Sequence, residues 1–236
     1  MAKSKQRKKA NPADNDKLII NRASNMLKNG FQWKVNIQKG SNKCEVISDI
    51  YTKTHFIKIP QNDPTNGLNL LHELCHAHLS EHGDPCFLTP IFAIGTKQQD
   101  ILDITSVLTA SCDWFVEEIE YSLARIPFLK EVEWFTDNFK KTMHSIQNKS
   151  NQDRFLHAFL IAQAHRYLHT TIPVDGILSE MVSAFLETDP SQPSLKNLLH
   201  LVNKLLSIQD KSINRIRGLD FVLDGECYAW KIIPQT

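Results

Sequence analysis

Two histidines four residues apart, with a glutamate directly after the first, form the strongest chemical pattern in this sequence: His72-Glu73-Leu74-Cys75-His76. On a helix, residues at this spacing share one face about a turn apart, so both imidazoles can grip a single zinc ion. Glu73 lies beside that face and reaches a water on the metal without being a ligand. Zinc lowers the pKa of such a water towards 7 and polarises a carbonyl, while the glutamate takes the proton and returns it to the leaving group. The chemistry this implies is hydrolysis. Zinc itself follows from ligand type, since other divalent ions also fill sites of nitrogen and oxygen donors.

The pattern needs a helix with a buried back. Leu68, Leu71, Cys75 and Leu79 supply an apolar stripe along a helix expected over 66–81. Ahead of it, 16–28 reads as helical and stops at Asn29-Gly30. Three β-type runs follow at 31–38, 44–51 and 55–59, with a turn at Lys39-Gly40-Ser41-Asn42 and an end at Pro60. Beyond Pro64 the period turns helical, over 99–125, 129–147, 151–170, 176–188 and 192–209, with Ile126-Pro127 separating the first two. Phe221 to Trp230 reads as a hairpin turning at Asp224-Gly225. Helix, small sheet, then helices is the order of an α+β domain with its helices segregated from the sheet. The expected division is a basic tail over 1–15, a core over 16–127 and a helical C-terminal region over 128–236, the last either separate or packed on the core as one unit.

Composition narrows the class. A chain of 236 residues, 42% hydrophobic, can bury a core without disulfides or structural metal, so a metal here serves chemistry rather than folding. No run approaches the roughly 18–20 apolar residues of a membrane span, and no apolar signal region opens the chain. Five scattered cysteines, Cys44, Cys75, Cys86, Cys112 and Cys227, make neither a zinc knuckle nor a disulfide framework, which fits a reducing cytoplasm. The net charge is +1, yet Lys3, Lys5, Arg7, Lys8 and Lys9 stand together without an acid. Setting those five aside leaves 22 basic against 26 acidic residues, a net charge of −4. The run reads as a solvated tail, or as an arm that contacts nucleic-acid phosphates.

Leu70-Leu71-His72-Glu73-Leu74-Cys75-His76-Ala77 resembles the active-site helix of the zincin metallopeptidases. The close match covers 70–77, and the fold resemblance about 30–125. It implies a zincin-like fold with a small mixed sheet, an active-site helix and zinc-dependent hydrolysis of peptide bonds in a protein or peptide substrate. Three subgroups are similar in different ways. SprT-like proteases carry such a helix followed later by His-Gly, as in His82-Gly83 here. ImmA/IrrE-like peptidases and other gluzincins take a third ligand from a glutamate on the next helix, and metzincins take a histidine six residues after the second.

His82 has the metzincin interval from His76, but the break signals, Gly83 and Pro85, come after it. On a helix continuing to 81, His82 lies about 120° around the axis and about 9 Å along it, too far to close the same tetrahedron. The next helix offers Asp113, Glu117, Glu118 and Glu120. Glu118 falls at the edge of the apolar stripe, where an inward carboxylate needs a partner. In the pair Asp113/Glu117, one turn apart, one acid can bind metal while the other orients a ligand histidine. By resemblance to zincins with an acid or Asn one turn before the third ligand, Glu117 is the preferred ligand. Asp113 then acts from behind, with Glu118 and His82 as alternatives. The bland alternative is a solvated acidic face.

The strand 55–59 is expected at the sheet edge, which in zincins receives the substrate as an added strand. Tyr121, Tyr228, His55 and His165 are the candidates for stabilising an oxyanion. His157, His165 and His169 read as a polar face, and Trp33, Trp114, Trp134 and Trp230 as core. Two rival readings stand beside the peptidase: an SprT-like protease acting on DNA-bound proteins, with His82 as ligand, and a non-catalytic module that a metal merely organises.

Overall fold

Alternation along β3 (Thr54–Pro60) buries His55, Ile57 and Ile59 on one face, as a strand covered by a helix requires. β1 (Lys34–Ser41) runs parallel to it and β2 (Glu45–Asp49) antiparallel, giving a mixed sheet of order β1-β3-β2. This corrects the expected edge: β3 is central, and β2 is a true edge. β2 is also the more polar strand, with Glu45, Ser48 and Asp49, as an unpaired edge favours. Closeness in sequence to the motif helix says nothing of position within the sheet.

The computed structural model describes residues 12–62, 67–142, 151–211, 217–225 and 227–233. The basic run over 3–9 lies outside them. Six α-helices accompany the strands among the described residues: α1 (Pro12–Gly30), α2 (Leu68–His82), α3 (Gln98–Thr142), α4 (Asn151–Leu168), α5 (Gly176–Glu187) and α6 (Leu195–Lys211). The expected C-terminal hairpin is present as β4 (Gly218–Asp224) and β5 (Cys227–Ile233). The chain is thus mixed α+β, and none of its described helices is long and apolar enough to cross a membrane.

α2 lays Leu68, Leu71, Leu74 and Cys75 against Ile57 and Ile59 of β3 and against Ile20, Ala23 and Leu27 of α1. Its end is fixed at Gly83, whose N–H donates to the Leu79 carbonyl at 2.8 Å. A Cβ there would meet that same carbonyl oxygen at 2.6 Å, so only glycine fits.

α3 differs from expectation. The two helices expected around Ile126-Pro127 are one, with non-helical backbone at Ala124 (φ −137°, ψ 47°). Proline lacks an N–H and its ring presses on the carbonyl four residues back, and the bend absorbs both without breaking the helix. The boundary expected at 127 therefore falls inside α3. Trp114, Phe115 and Val116 are consecutive and all fully buried, so the middle of α3 is enclosed rather than amphipathic. Val116 joins the α1–α2–sheet cluster, while Trp114 and Phe115 join a larger one with Phe155 and Ile161 of α4, Phe185 of α5, Leu205 of α6 and Trp230 of β5. Trp134, expected in the core, is 61% exposed on the last part of α3.

Candidate metal centre

α2 and α3 pack with opposite directions, because His72 meets Glu120 while His76, a turn later, meets Asp113, nearly two turns earlier. His76 Nε2 lies 3.0 Å from Asp113 Oδ1, and His72 Nε2 lies 3.7 Å from the same oxygen. The other ring nitrogen of His72, Nδ1, donates to Glu120 Oε2 at 3.1 Å, so Nε2 is the nitrogen that faces Asp113. Among the described residues, His72, His76 and Asp113 form a group whose ligand atoms all lie within 4.8 Å of one another.

The acid that the structure groups with the two histidines is therefore Asp113, not Glu117. Both acids were expected on one polar face of α3, and they are, but that face is buried. Four residues rotate Glu117 about 40° from Asp113. There its carboxylate accepts a hydrogen bond from Gln163 of α4 and takes no part in the group. Glu118 is also excluded, since it accepts from Arg166 at 3.0 Å and from the Tyr167 hydroxyl at 3.1 Å. His82 lies on another side of α2, its ring stacked on His78 with centroids 4.5 Å apart. The ligand role expected for His82 in an SprT-like arrangement has no counterpart in this geometry. Nor is the cluster a solvated acidic face, because Glu117 and Glu120 are 8% and 1% exposed.

Glu120 is the participant that sequence reasoning missed. Its signal was available: seven residues after Asp113, it shares a helix face with that acid.

Burial alone would lower the pKa of His72, but Asp113 and Glu120 beside it raise it well above the ordinary imidazole value. Burial would raise Asp113, yet His72 and His76 hold it well below the usual carboxylate range. Burial dominates at Glu73 and pushes its pKa up, partly offset by the two histidines. Burial, with Glu120 and Asp113 near, also holds Glu117 well above its ordinary value. None of the hydrogen bonds and ion pairs described for these four acids comes from a lysine or arginine. One buried oxygen, Glu120 Oε1, has no hydrogen-bond partner among the described residues. Carboxylates gathered away from water need compensating positive charge, and two imidazoles facing one carboxylate provide a donor set for a divalent cation. The residues present fit such an ion.

The group opens into a cleft of about 350 Å³ whose walls include Glu45, Val46 and Ser48 of β2, Glu73 of α2, and Thr109 and Cys112 of α3. None of the four oxyanion candidates lines it. His55 is fully buried, its Nε2 donating to Glu81 at 3.0 Å and its Nδ1 accepting from Ser48 Oγ at 2.9 Å. Tyr121 packs on Phe128 and Tyr167, Tyr228 stacks on Phe221, and His165 Nε2 accepts the Ile172 N–H at 2.9 Å.

No family model, no curated protein and no solved structure matches this chain.

Proposed function

We propose that this protein is a metal-dependent peptidase of zincin type, with His72, His76 and Asp113 as ligands, zinc as the ion their chemistry favours, and Glu73 as general base. The observation that carries the reading is the convergence of those three donor sets at the floor of a cleft that Glu73 also lines. An aspartate as third ligand departs from the glutamate that the gluzincin resemblance implies.

A zinc ion bound there supplies a Lewis acid and acidifies a coordinated water. The chain's own residues do the rest. Glu73, buried and raised in pKa, is a stronger base than a surface carboxylate, so its oxygen accepts a proton from water in the cleft and returns it to the departing nitrogen. Glu120 holds the His72 Nδ1–H and so fixes which nitrogen faces Asp113. Edge strand β2 forms one wall, and an extended polypeptide can add to such an edge through main-chain hydrogen bonds.

The test uses the full chain with unfolded casein as substrate, and metal content measured alongside. Wild type is expected to hold one divalent ion per chain and to cut casein. Glu73→Gln should hold the same ion and lose at least about 100-fold in rate. Equal activity in Glu73→Gln, or no stoichiometric ion in wild type, overturns the proposal. Silent wild type with bound metal would favour the non-catalytic module instead.

A further inference from the structure

A second cavity, of about 390 Å³, lies between α3 and α4 and adjoins the cleft along α3, where Thr109 and Asp113 line both. Along α3 this cavity follows Asp113, Thr109, Thr105 and Leu102, a single helix face, away from the metal group. Eleven residues of helix span about 16 Å. That length accommodates about five residues of extended chain at roughly 3.3 Å each.

The far part of the cavity is apolar. Leu102 and Leu156 line it from opposite helices while remaining 56% and 52% exposed, and Phe159 lies between α3 and α4 beneath them. Its hydroxyls are already engaged: Thr105 Oγ1 donates to the Ile101 carbonyl at 2.6 Å and Ser106 Oγ to that of Leu102 at 3.4 Å. Beyond Asp113 no charged residue lines it among the described residues. A polar or ionic ligand finds nothing complementary there, whereas a bulky apolar side chain would cover two exposed leucines.

We infer that the α3/α4 groove is a specificity subsite, taking a bulky aliphatic or aromatic side chain of the polypeptide whose backbone crosses the metal group. That side chain stands at one fixed position, within about five residues of the bond cut. The inference rests on the peptidase reading, and it names the substrate class: extended segments bearing an apolar anchor.

Casein cut sites mapped by mass spectrometry test it, using wild type, Leu156→Lys and Leu102→Lys, with folding checked by circular dichroism and metal content measured in each. Wild type should show a bulky apolar residue enriched at one position relative to the cut. Each lysine variant should keep its metal, lose about tenfold in kcat/KM for such sites, and shift towards acidic residues at that position. Cutting without positional preference, or a preference unchanged in both variants, overturns the subsite while leaving the peptidase reading intact. Those results are expected if a second copy or other residues of this chain cover the groove. If wild type cuts nothing, the peptidase reading fails first and takes this inference with it.

Discussion

Glu120 Oε2 stands 3.1 Å from His72 Nδ1, a carboxylate behind a histidine of the proposed metal group, buried to 1% exposure and supplied by the helix that also supplies Asp113. A ring oriented in this way presents its other nitrogen with less rotational freedom and greater basicity. Glu120→Ala is therefore expected to weaken metal binding by about 10–100-fold while Glu73 still faces the cleft. Competition against a chelator of known affinity measures this, and an unchanged affinity would remove Glu120 from the account.

His55 gives stability a pH dependence. Burial lowers its pKa below the ordinary value of 6.5, outweighing the opposing pull of Glu81. The folded state then binds a proton less readily than the unfolded one, so this contribution is complete above pH about 6.5 and is lost as pH falls below it. Glu81, whose pKa is lowered by His55 and the Gln32 and Trp33 amides against the effect of burial, extends the loss below about 4.5. Between pH about 7 and 5.5 the wild type should lose more of its urea midpoint than His55→Gln does, or gain less, because only the wild type carries the His55 contribution. Parallel slopes in the two proteins would contradict the assignment.

Trp114 ties the helical layers together. It is fully buried, donates from Nε1 to the Thr188 carbonyl at 2.9 Å, and its ring meets Phe159, Phe185 and Tyr167. Trp114→Ala should cost about 3–5 kcal/mol by denaturant unfolding. Trp114→Phe should cost less but still leave the Thr188 carbonyl without that donor, about 1–3 kcal/mol. A loss below about 1 kcal/mol for the alanine variant would mean that the layers do not depend on this contact.

At the end of α2, Gly83→Ala brings a methyl group to 2.6 Å from the Leu79 oxygen. The expected cost is about 1–3 kcal/mol of stability, with metal affinity unaffected because His76 lies nearly two turns earlier and His72 about three. Thermal unfolding with and without added zinc separates the two effects. A variant as stable as wild type would show that the helix end relaxes freely.

Much of the element order was legible because β alternation and helical period are local properties. The bounds of α2 and β3, for instance, fall within two residues of those read from the sequence. The central position of β3 was not legible, since strand order depends on which neighbours pair across the sheet. At the site, His72, Glu73 and His76 are fixed by spacing along one helix. The partner acid is fixed by the register between two antiparallel helices, which no single-helix argument supplies. The preference for Glu117 came from resemblance and not from packing, and the burial of Trp114, Phe115 and Val116 together shows that this part of α3 has no single solvent-facing side from which its acids could be ranked. In this enclosed middle of α3 the acids are sorted by what faces them: His76 for Asp113, Gln163 for Glu117, Arg166 for Glu118 and His72 for Glu120.

The most direct measurement is metal stoichiometry in purified wild type, Asp113→Asn and Glu117→Gln after dialysis against limiting zinc. Both substitutions preserve side-chain shape and remove one carboxylate. The account predicts one ion per chain in wild type, retention in Glu117→Gln and loss in Asp113→Asn. Retention in Asp113→Asn with loss in Glu117→Gln would contradict it.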